Sequence, residues 1–93
     1  MAQLLTGAEI QERADGLSDW TIESSKLQTL RKFKDFVAAI AFVNKLVEPS
    51  ESAGHHPDIE ISYNKVKITL TTHDAGGLTK KDFDLAAIIS QIV

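Results

Sequence analysis

Apolar and polar residues alternate strictly on both sides of Asn64-Lys65, and this pattern restricts the possible folds of the chain. Residues 59–63 and 66–71 each place apolar side chains at every second position. A period of two is typical of strands with one apolar and one polar face. Asn64-Lys65 predicts the two-residue turn of a hairpin between them. The rest of the chain must then cover the apolar face of this hairpin.

Capping motifs predict the first and last helices. Thr6 and Glu9 form a Thr-x-x-Glu capping box, and Gly16 is expected to end the first helix as its C-terminal cap. Thr79 and Asp82 stand in the same relation at the start of the last helix. The core residues expected from this last helix are Leu85, Ile88, Ile89 and Ile92.

A third helix is predicted in the middle of the chain, beginning near Asp35. Pro49 is expected to stop or kink it at Glu48, and the polar residues 50–54 to lead into the next strand. Its apolar residues recur at helical spacing and predict a broad buried face. This face consists of Phe36, Val37, Ile40, Ala41, Val43, Leu46 and Val47.

A second, shorter hairpin is predicted from residues 20–22 and 27–33. The order α-β-β-α-β-β-α contains no signature of a parallel crossover. We therefore predict an α+β fold, with a four-stranded antiparallel sheet and three helices packed on one face. A length of 93 residues predicts a single domain over 1–93.

Composition and charge exclude several classes of function. Hydrophobic residues make up 43% and charged residues 25%, as in ordinary globular proteins. The formal net charge of −3 argues against direct nucleic-acid binding. No apolar run approaches the roughly 20 residues of a membrane helix, so no membrane association is expected. The absence of cysteine gives weak support to a reducing compartment, and we expect a cytoplasmic protein.

All three histidines lie in or beside the second predicted hairpin. The register set by Asn64-Lys65 places His56 opposite His73 on the polar face, whereas the direction of His55 stays open. The three histidines could simply be polar residues where the strand begins, or they could bind a metal together with Asp74 or Asp82. Acid/base chemistry suits them better than a metal site. Neighbouring imidazoles disfavour double protonation, so one can act as acid and the other as base.

Three other features are explained first by structure. Asp82, an acidic residue in the first turn of the last helix, is explained by capping and by the helix dipole. Gly76-Gly77 is a tight strand-to-helix turn rather than a phosphate-binding loop, because no Gly-Lys-Thr/Ser sequence follows it. Trp20, the only tryptophan, is expected to pack in the core, and the alternative is that its ring stacks on a flat ligand.

The spacing of these residues resembles the signature of the pterin-4a-carbinolamine dehydratases. The matching pattern is Glu51-x-x-x-His55-His56-Pro57, followed by Tyr63, His73 and Asp82. The resemblance extends over most of the chain and is densest in residues 51–87. Pro49 departs from it, because members of the family tend to carry an uninterrupted helix up to the region of Glu51.

The resemblance implies dehydration of 4a-hydroxytetrahydrobiopterin to quinonoid dihydropterin and water, without a metal or organic cofactor. It implies homodimers or homotetramers and a functional link to an aromatic amino acid hydroxylase. An alternative is a protein-interaction scaffold or transcriptional coactivator. The implied catalytic residues are His55, His56 and His73, with His56 and His73 preferred for proton transfer and His55 for holding the substrate. The implied substrate-binding residues are Pro57, Thr72, Asp74, Ala75, Asp82, Trp20 and Glu51. Because Asp82 matches the last position of the signature, the resemblance also implies that it can orient an imidazole across the turn.

Overall fold

The computed structural model describes residues 3–92 of the chain. Within this range lie four α-helices, four β-strands and one short 3-10 helix. In chain order they are α1 (Gly7–Ala14), β1 (Thr21–Glu23), β2 (Lys26–Lys32), α2 (Phe36–Asn44), α3 (Val47–Ala53), β3 (Asp58–Ser62), β4 (Lys65–Leu70), the 3-10 helix (His73–Ala75) and α4 (Lys80–Ser90). The predicted order is confirmed, with the central helical region divided into α2 and α3. None of the helices described here is long and apolar enough to cross a membrane.

The four strands form one antiparallel sheet in the order β1-β2-β4-β3. The central strands pair with Leu27 opposite Leu70. Val66, Ile68 and Leu70 are fully buried, whereas Lys67 between them points to the polar face. Each fully buried aliphatic side chain contributes about 1.5–3 kcal/mol to folding. The predicted α+β class, with helices covering one face of the sheet, is confirmed.

Both predicted capping boxes are present. The Glu9 N–H donates to Thr6 Oγ1 at 3.1 Å, and the Thr6 N–H donates to Glu9 Oε1 at 2.8 Å. Hydrogen bonds from the Thr6 backbone and then its side chain lower the pKa of the Glu9 carboxyl. Thr79 and Asp82 form the second box at the start of α4.

The first helix ends earlier than predicted. α1 ends at Ala14, and its C-cap Asp15 has right-handed helical geometry, so the prediction that Gly16 caps the helix is wrong. The Asp15 N–H donates to Gln11 O at 3.1 Å, and the Leu17 N–H donates to Ala14 O at 2.9 Å. These bonds satisfy carbonyls of the last turn without a left-handed glycine.

The central helical region breaks before Pro49 rather than at it. Pro49 is the third residue of α3, whose first residue is Val47. A proline is tolerated in a first helical turn, because the N–H that it lacks has no partner within the helix there. The prediction that Pro49 ends the helix is therefore wrong. Residues 50–54 are not a plain connection either, because they complete α3 up to Gly54, whose left-handed φ of 61° favours glycine.

The turn of the second hairpin lies one residue earlier than predicted. Ser62 pairs with Lys65, so Tyr63 and Asn64 form the two-residue turn, and the φ of Tyr63 is 52°. The Asn64 side-chain amide donates to Phe33 O, and the Phe33 N–H donates to Asn64 O, both at 2.8 Å. These bonds to the chain beyond β2 hold the turn in place, so the predicted Asn64-Lys65 turn is wrong.

The corrected register shifts each strand partner by two residues, so both strands keep the faces that the alternation predicts. Ile59 pairs with Ile68. Continued outward from β3, the same register leads from His56 to Thr71. His73 lies beyond β4 in the 3-10 helix. The prediction that His56 and His73 face each other as strand partners is therefore wrong.

The buried side of the central helices also differs from the predicted one. Ala39, Phe42 and Leu46 are buried, whereas several residues predicted for the core are exposed. In the central helices the exposed ones are Phe36, Val37, Ala41 and Val47, and in α4 the predicted core residue Ile88 is exposed as well. α2 is apolar nearly all round, so its contact with the sheet covers only one of its sides.

Candidate functional site

The three histidines converge at one end of the sheet. His55 and His56 directly follow Gly54, which ends α3, and His73 begins the 3-10 helix after β4. All three line one concave surface of about 260 Å³, which we call the histidine cavity. Its other lining residues are Gly54, Thr71, Thr72, Asp74 and Lys81.

His55 is held by a buried carboxylate. Its Nε2 atom lies 2.6 Å from Oδ1 of Asp82, which comes from the first turn of α4. Asp82 is fully buried, and the side chain of His55 is 10% exposed. The second carboxylate oxygen, Oδ2, accepts hydrogen bonds from the Thr72 hydroxyl at 2.8 Å and from the Thr79 N–H at 2.9 Å. Asp82 therefore caps α4 with one oxygen and anchors an imidazole with the other.

This hydrogen-bond network assigns the tautomer of His55. An ionised carboxylate only accepts hydrogen bonds, so Nε2 of His55 is the protonated nitrogen and donates to Asp82. Nδ1 is then the nitrogen left to accept a hydrogen bond or a proton. A buried, fully paired carboxylate also restricts the rotation of the ring, which keeps the imidazole in one orientation.

The loop between β4 and α4 is fixed by the same network. The Thr72 and Thr79 hydroxyl oxygens lie 2.8 Å apart, and both residues are buried. The Thr72 N–H donates to Gly77 O at 3.0 Å, while Gly76 adopts a left-handed φ of 78°. Gly76-Gly77 is thus the tight turn between strand and helix that the sequence favours. It holds His73 beside the other two histidines.

His56 is in a different environment from His55. Its Nε2 atom lies 2.5 Å from Oε2 of Glu51, and the two side chains are 64% and 69% exposed. Exposed ion pairs contribute less than about 1 kcal/mol to stability. Glu51 lies in the last turn of α3, so that helix brings the carboxylate to the histidine. The pair is available for proton exchange with a ligand and with solvent.

Most of the predicted substrate-binding residues lie around these histidines. Thr72 and Asp74 line the histidine cavity, and Ala75 belongs to the same 3-10 helix as His73. Pro57 and Glu51 line a neighbouring cavity that also includes His56.

Trp20 lies apart from both cavities. It is buried in the core, and its indole N–H donates to Ser90 Oγ at 2.8 Å. Ser90 in turn contacts the carboxylate of Asp19. This position fits the core interpretation of Trp20 given by the sequence.

The sequence interpretation missed Thr71 and Lys81, which also line the histidine cavity. Thr71 directly follows β4, and Lys81 precedes Asp82 by one residue. Only their closeness in the sequence to residues of the motif could have indicated that they belong to the site. Among residues 3–92, no group of three His, Cys, Asp or Glu side chains is arranged to hold a metal ion.

The fold and the site together place the chain in a class of solved structures that are pterin dehydratases or resemble them. A crystal structure of a transcriptional coactivator/pterin dehydratase from Brucella melitensis matches with a TM-score of 0.87 and 32% identity, over 92% of this chain and 94% of the other. A pterin dehydratase-like protein, identified as a RuBisCO assembly factor in the alpha-carboxysome, matches with a TM-score of 0.60 and 25% identity. That match covers 75% of this chain and 81% of the other.

Comparison with known sequences identifies the family of this chain. The family model for pterin 4 alpha carbinolamine dehydratase matches residues 3–92. A relative from Trichormus variabilis is 82% identical over 99% of both chains, and its name gives pterin-4-alpha-carbinolamine dehydratase as a provisional assignment. The chain therefore belongs to the pterin-4a-carbinolamine dehydratase family, as its histidine spacing indicates.

Proposed function

We propose that this protein dehydrates 4a-hydroxytetrahydrobiopterin to quinonoid dihydropterin and water by histidine acid/base catalysis. The observation that carries the proposal is the convergence of His55, His56 and His73 on one cavity, with His55 fixed by buried Asp82. The reaction needs one proton delivered to the C4a hydroxyl and one removed from N5. The C4a–O bond breaks, water leaves, and the electrons of the N5–H bond form the N5=C4a double bond. No metal or organic cofactor takes part.

His56 and His73 are the proposed proton-transfer groups. Both are exposed in the cavity, whereas His55 is mostly buried and its Nε2 is engaged by Asp82. Transfers by positioned groups typically accelerate a reaction about 10²- to 10⁴-fold. The Glu51 carboxylate beside His56 is placed to exchange a proton with that imidazole between turnovers.

His55 holds the substrate in this proposal. With Nε2 bonded to Asp82, its Nδ1 is the atom that accepts a hydrogen bond from the pterin. Thr72, Asp74 and Ala75 contact the ring from the loop after β4, and Pro57 contacts it from the start of β3. We propose no substrate contact for Trp20, because its indole lies in the core.

The proposed cellular role is recycling of the pterin cofactor of an aromatic amino acid hydroxylase in the cytoplasm. A homodimer or homotetramer is proposed as the working form. Exposed apolar side chains support association, because Phe36 and Val37 of α2 are 50% and 76% exposed and Ile61 of the edge strand β3 is 41% exposed.

A protein-interaction role is the second candidate. The same exposed apolar surface of α2 and β3 favours it, and both solved neighbours have names that include a role beyond dehydration. The discriminating feature is the histidine set, because a surface that only binds a partner has no physical need for three converging imidazoles and a buried carboxylate.

Stopped-flow ultraviolet absorbance tests the proposed function. 4a-Hydroxytetrahydrobiopterin is generated by a hydroxylase, and its dehydration is followed with and without the purified protein. The proposal predicts a rate that rises in proportion to protein concentration. A rate equal to that of buffer at every concentration, with the fold verified by circular dichroism, would reject the dehydratase and favour the interaction role.

A further inference from the structure

A second concave surface shares His56 with the histidine cavity. It has a volume of about 250 Å³ and lies between the end of α2, α3 and the start of β3. Its walls are mainly apolar and include Val43, Leu46, Val47 and Ile59. Since His56 lines both surfaces, a ligand that touches this imidazole can extend from one into the other. We call the second surface the side cavity.

Covalent chemistry of the substrate links the two cavities. In a reduced pterin, N5 is bonded directly to C6, and C6 carries the substituent that distinguishes one pterin from another. Under the proposed function, N5 must lie within hydrogen-bond reach of a histidine that removes its proton. The first atom of the substituent is therefore only two bonds from N5. When His56 is the histidine at N5, the substituent starts beside the side cavity.

The polar groups of the side cavity suit a hydroxylated substituent. Ser50 is 4% exposed, and its hydroxyl has no hydrogen-bond partner among the described residues. Buried hydroxyl groups are nearly always paired, so an unpaired one is a specific feature of this wall. A serine hydroxyl is redirected by rotation about a single bond. Glu51, also in the lining, adds a carboxylate that accepts hydrogen bonds from hydroxyl groups.

We propose that the side cavity is the subsite for the C6 substituent, and that Ser50 and Val47 make it prefer a short hydroxylated chain with an apolar end. This inference rests on the proposed function, because it places the pterin ring at the histidines. The apolar walls receive the end of the chain, and Ser50 pairs with one of its hydroxyl groups. The Glu51 carboxylate disfavours a substituent that ends in an anion such as phosphate.

Two stable oxidised pterins test the subsite without turnover. Biopterin carries a dihydroxypropyl substituent, whereas 6-methylpterin carries only a methyl group on the same ring. Quenching of pterin fluorescence gives the Kd of each for the purified full chain. We expect biopterin to bind about tenfold more tightly than 6-methylpterin, the scale of discrimination that a few added groups provide in a matched pocket.

Two variants and one control localise the preference. Val47→Trp fills part of the cavity from an exposed helix position, and Ser50→Ala removes the hydroxyl. The measured ratio is the Kd of 6-methylpterin divided by the Kd of biopterin. Each variant is expected to lower this ratio at least about threefold, with the affinity for 6-methylpterin little changed. Ile88→Trp adds the same ring at an exposed position of α4 outside the cavity, and it is expected to leave the ratio unchanged.

An unchanged ratio in both Val47→Trp and Ser50→Ala overturns the subsite, as does an equal change in Ile88→Trp. If the ratio responds as expected but the wild type does not accelerate dehydration, the subsite stands as a pterin-binding feature and the proposed catalysis fails. If dehydration is accelerated but the ratio does not respond, only the subsite fails. Absence of binding by both pterins overturns the two together.

Discussion

The Nε2 atom of His55 lies 2.6 Å from Oδ1 of Asp82, although 27 residues separate the two in the chain. Asp82 is fully buried and uses its other oxygen to cap α4. One carboxylate thus couples the start of the last helix to the orientation of an imidazole in the histidine cavity. Stability and activity are therefore expected to respond together when this residue is changed.

Asp82→Asn is expected to lower both turnover and stability. The carboxylate of Asp82 now accepts hydrogen bonds on both oxygens, whereas an asparagine amide would turn an NH2 donor toward one of the same partners. We therefore expect the tautomer and the orientation of His55 to change. We expect kcat to fall about 10- to 100-fold, as for other groups that orient a functional imidazole, and the free energy of unfolding to fall by about 1–2 kcal/mol. The measurements are steady-state dehydration at several pH values and thermal unfolding.

Asp84→Asn is the matched control, because Asp84 lies in the same helix, is exposed and pairs with Lys80. It is expected to change neither quantity appreciably. A normal turnover in Asp82→Asn, with a lowered melting temperature, would reduce Asp82 to a capping residue.

His55→Ala and His56→Ala are expected to differ in stability. Removing the His55 ring leaves a buried Asp82 oxygen without its partner, which costs about 1–3 kcal/mol. His56 is 64% exposed and pairs with an equally exposed Glu51, so its removal should change stability by less than about 0.5 kcal/mol. Urea denaturation of the two variants measures the difference. Equal stabilities would show that the Asp82 contact does not hold His55 in solution.

The capping box of α1 predicts a pH dependence. Hydrogen bonds from Thr6 lower the pKa of Glu9 below its ordinary value of 4.5. The ionised Glu9 carboxylate therefore stabilises the fold above pH 4.5. This stabilisation is lost as the pH falls through the lower pKa of the folded state. The melting temperature of wild type minus that of Glu9→Gln should therefore be largest above pH 4.5 and shrink as the pH falls below it. Glu12→Gln, at an exposed position in the same helix, is the control, and a gap that stays constant with pH would contradict the assignment.

Arg31 is expected to support the fold without affecting the site. Its guanidinium donates to Ile92 O at 2.7 Å and to Ile89 O at 3.0 Å, at the end of α4, and lies 4.8 Å from the ring centre of Phe42. Arg31→Met should cost about 2–3 kcal/mol, because hydrogen bonds from a charged donor are among the stronger ones. Neighbouring exposed Lys32→Met is the control.

Chemical denaturation and the dehydration assay check Arg31→Met together. Turnover per folded molecule is expected to match that of wild type. A loss of turnover without a loss of stability would contradict the structural role.

Strand faces could be predicted from the sequence because they depend only on a period of two. Ile59 and Ile68 share a face in the predicted and in the observed register alike. The position of the turn could not be predicted locally, because Tyr63-Asn64 and Asn64-Lys65 both suit a two-residue loop. The hydrogen bonds between Asn64 and Phe33, 31 residues apart, fix the choice.

The histidine set was visible in the sequence, but its geometry was not. Spacing brought His56 and His73 together by an assumed strand pairing, whereas the structure brings them together by the end of α3 and the turn after β4. The capping motif explained one oxygen of Asp82, and the resemblance indicated that Asp82 orients an imidazole, but the spacing did not show that this imidazole is His55. Lys81 belongs to no motif, and only its position next to Asp82 could have pointed to it.

The His56→Ala/His73→Ala double variant removes both of the histidines that are proposed to transfer the protons of dehydration. Both residues are exposed, so the variant should fold with an unchanged circular dichroism spectrum. The measurement is the rate of dehydration of enzymatically generated 4a-hydroxytetrahydrobiopterin, beside wild type and a Lys26→Ala control. We predict a loss of at least about 100-fold in the double variant alone. A folded double variant that retains the wild-type rate would contradict the account.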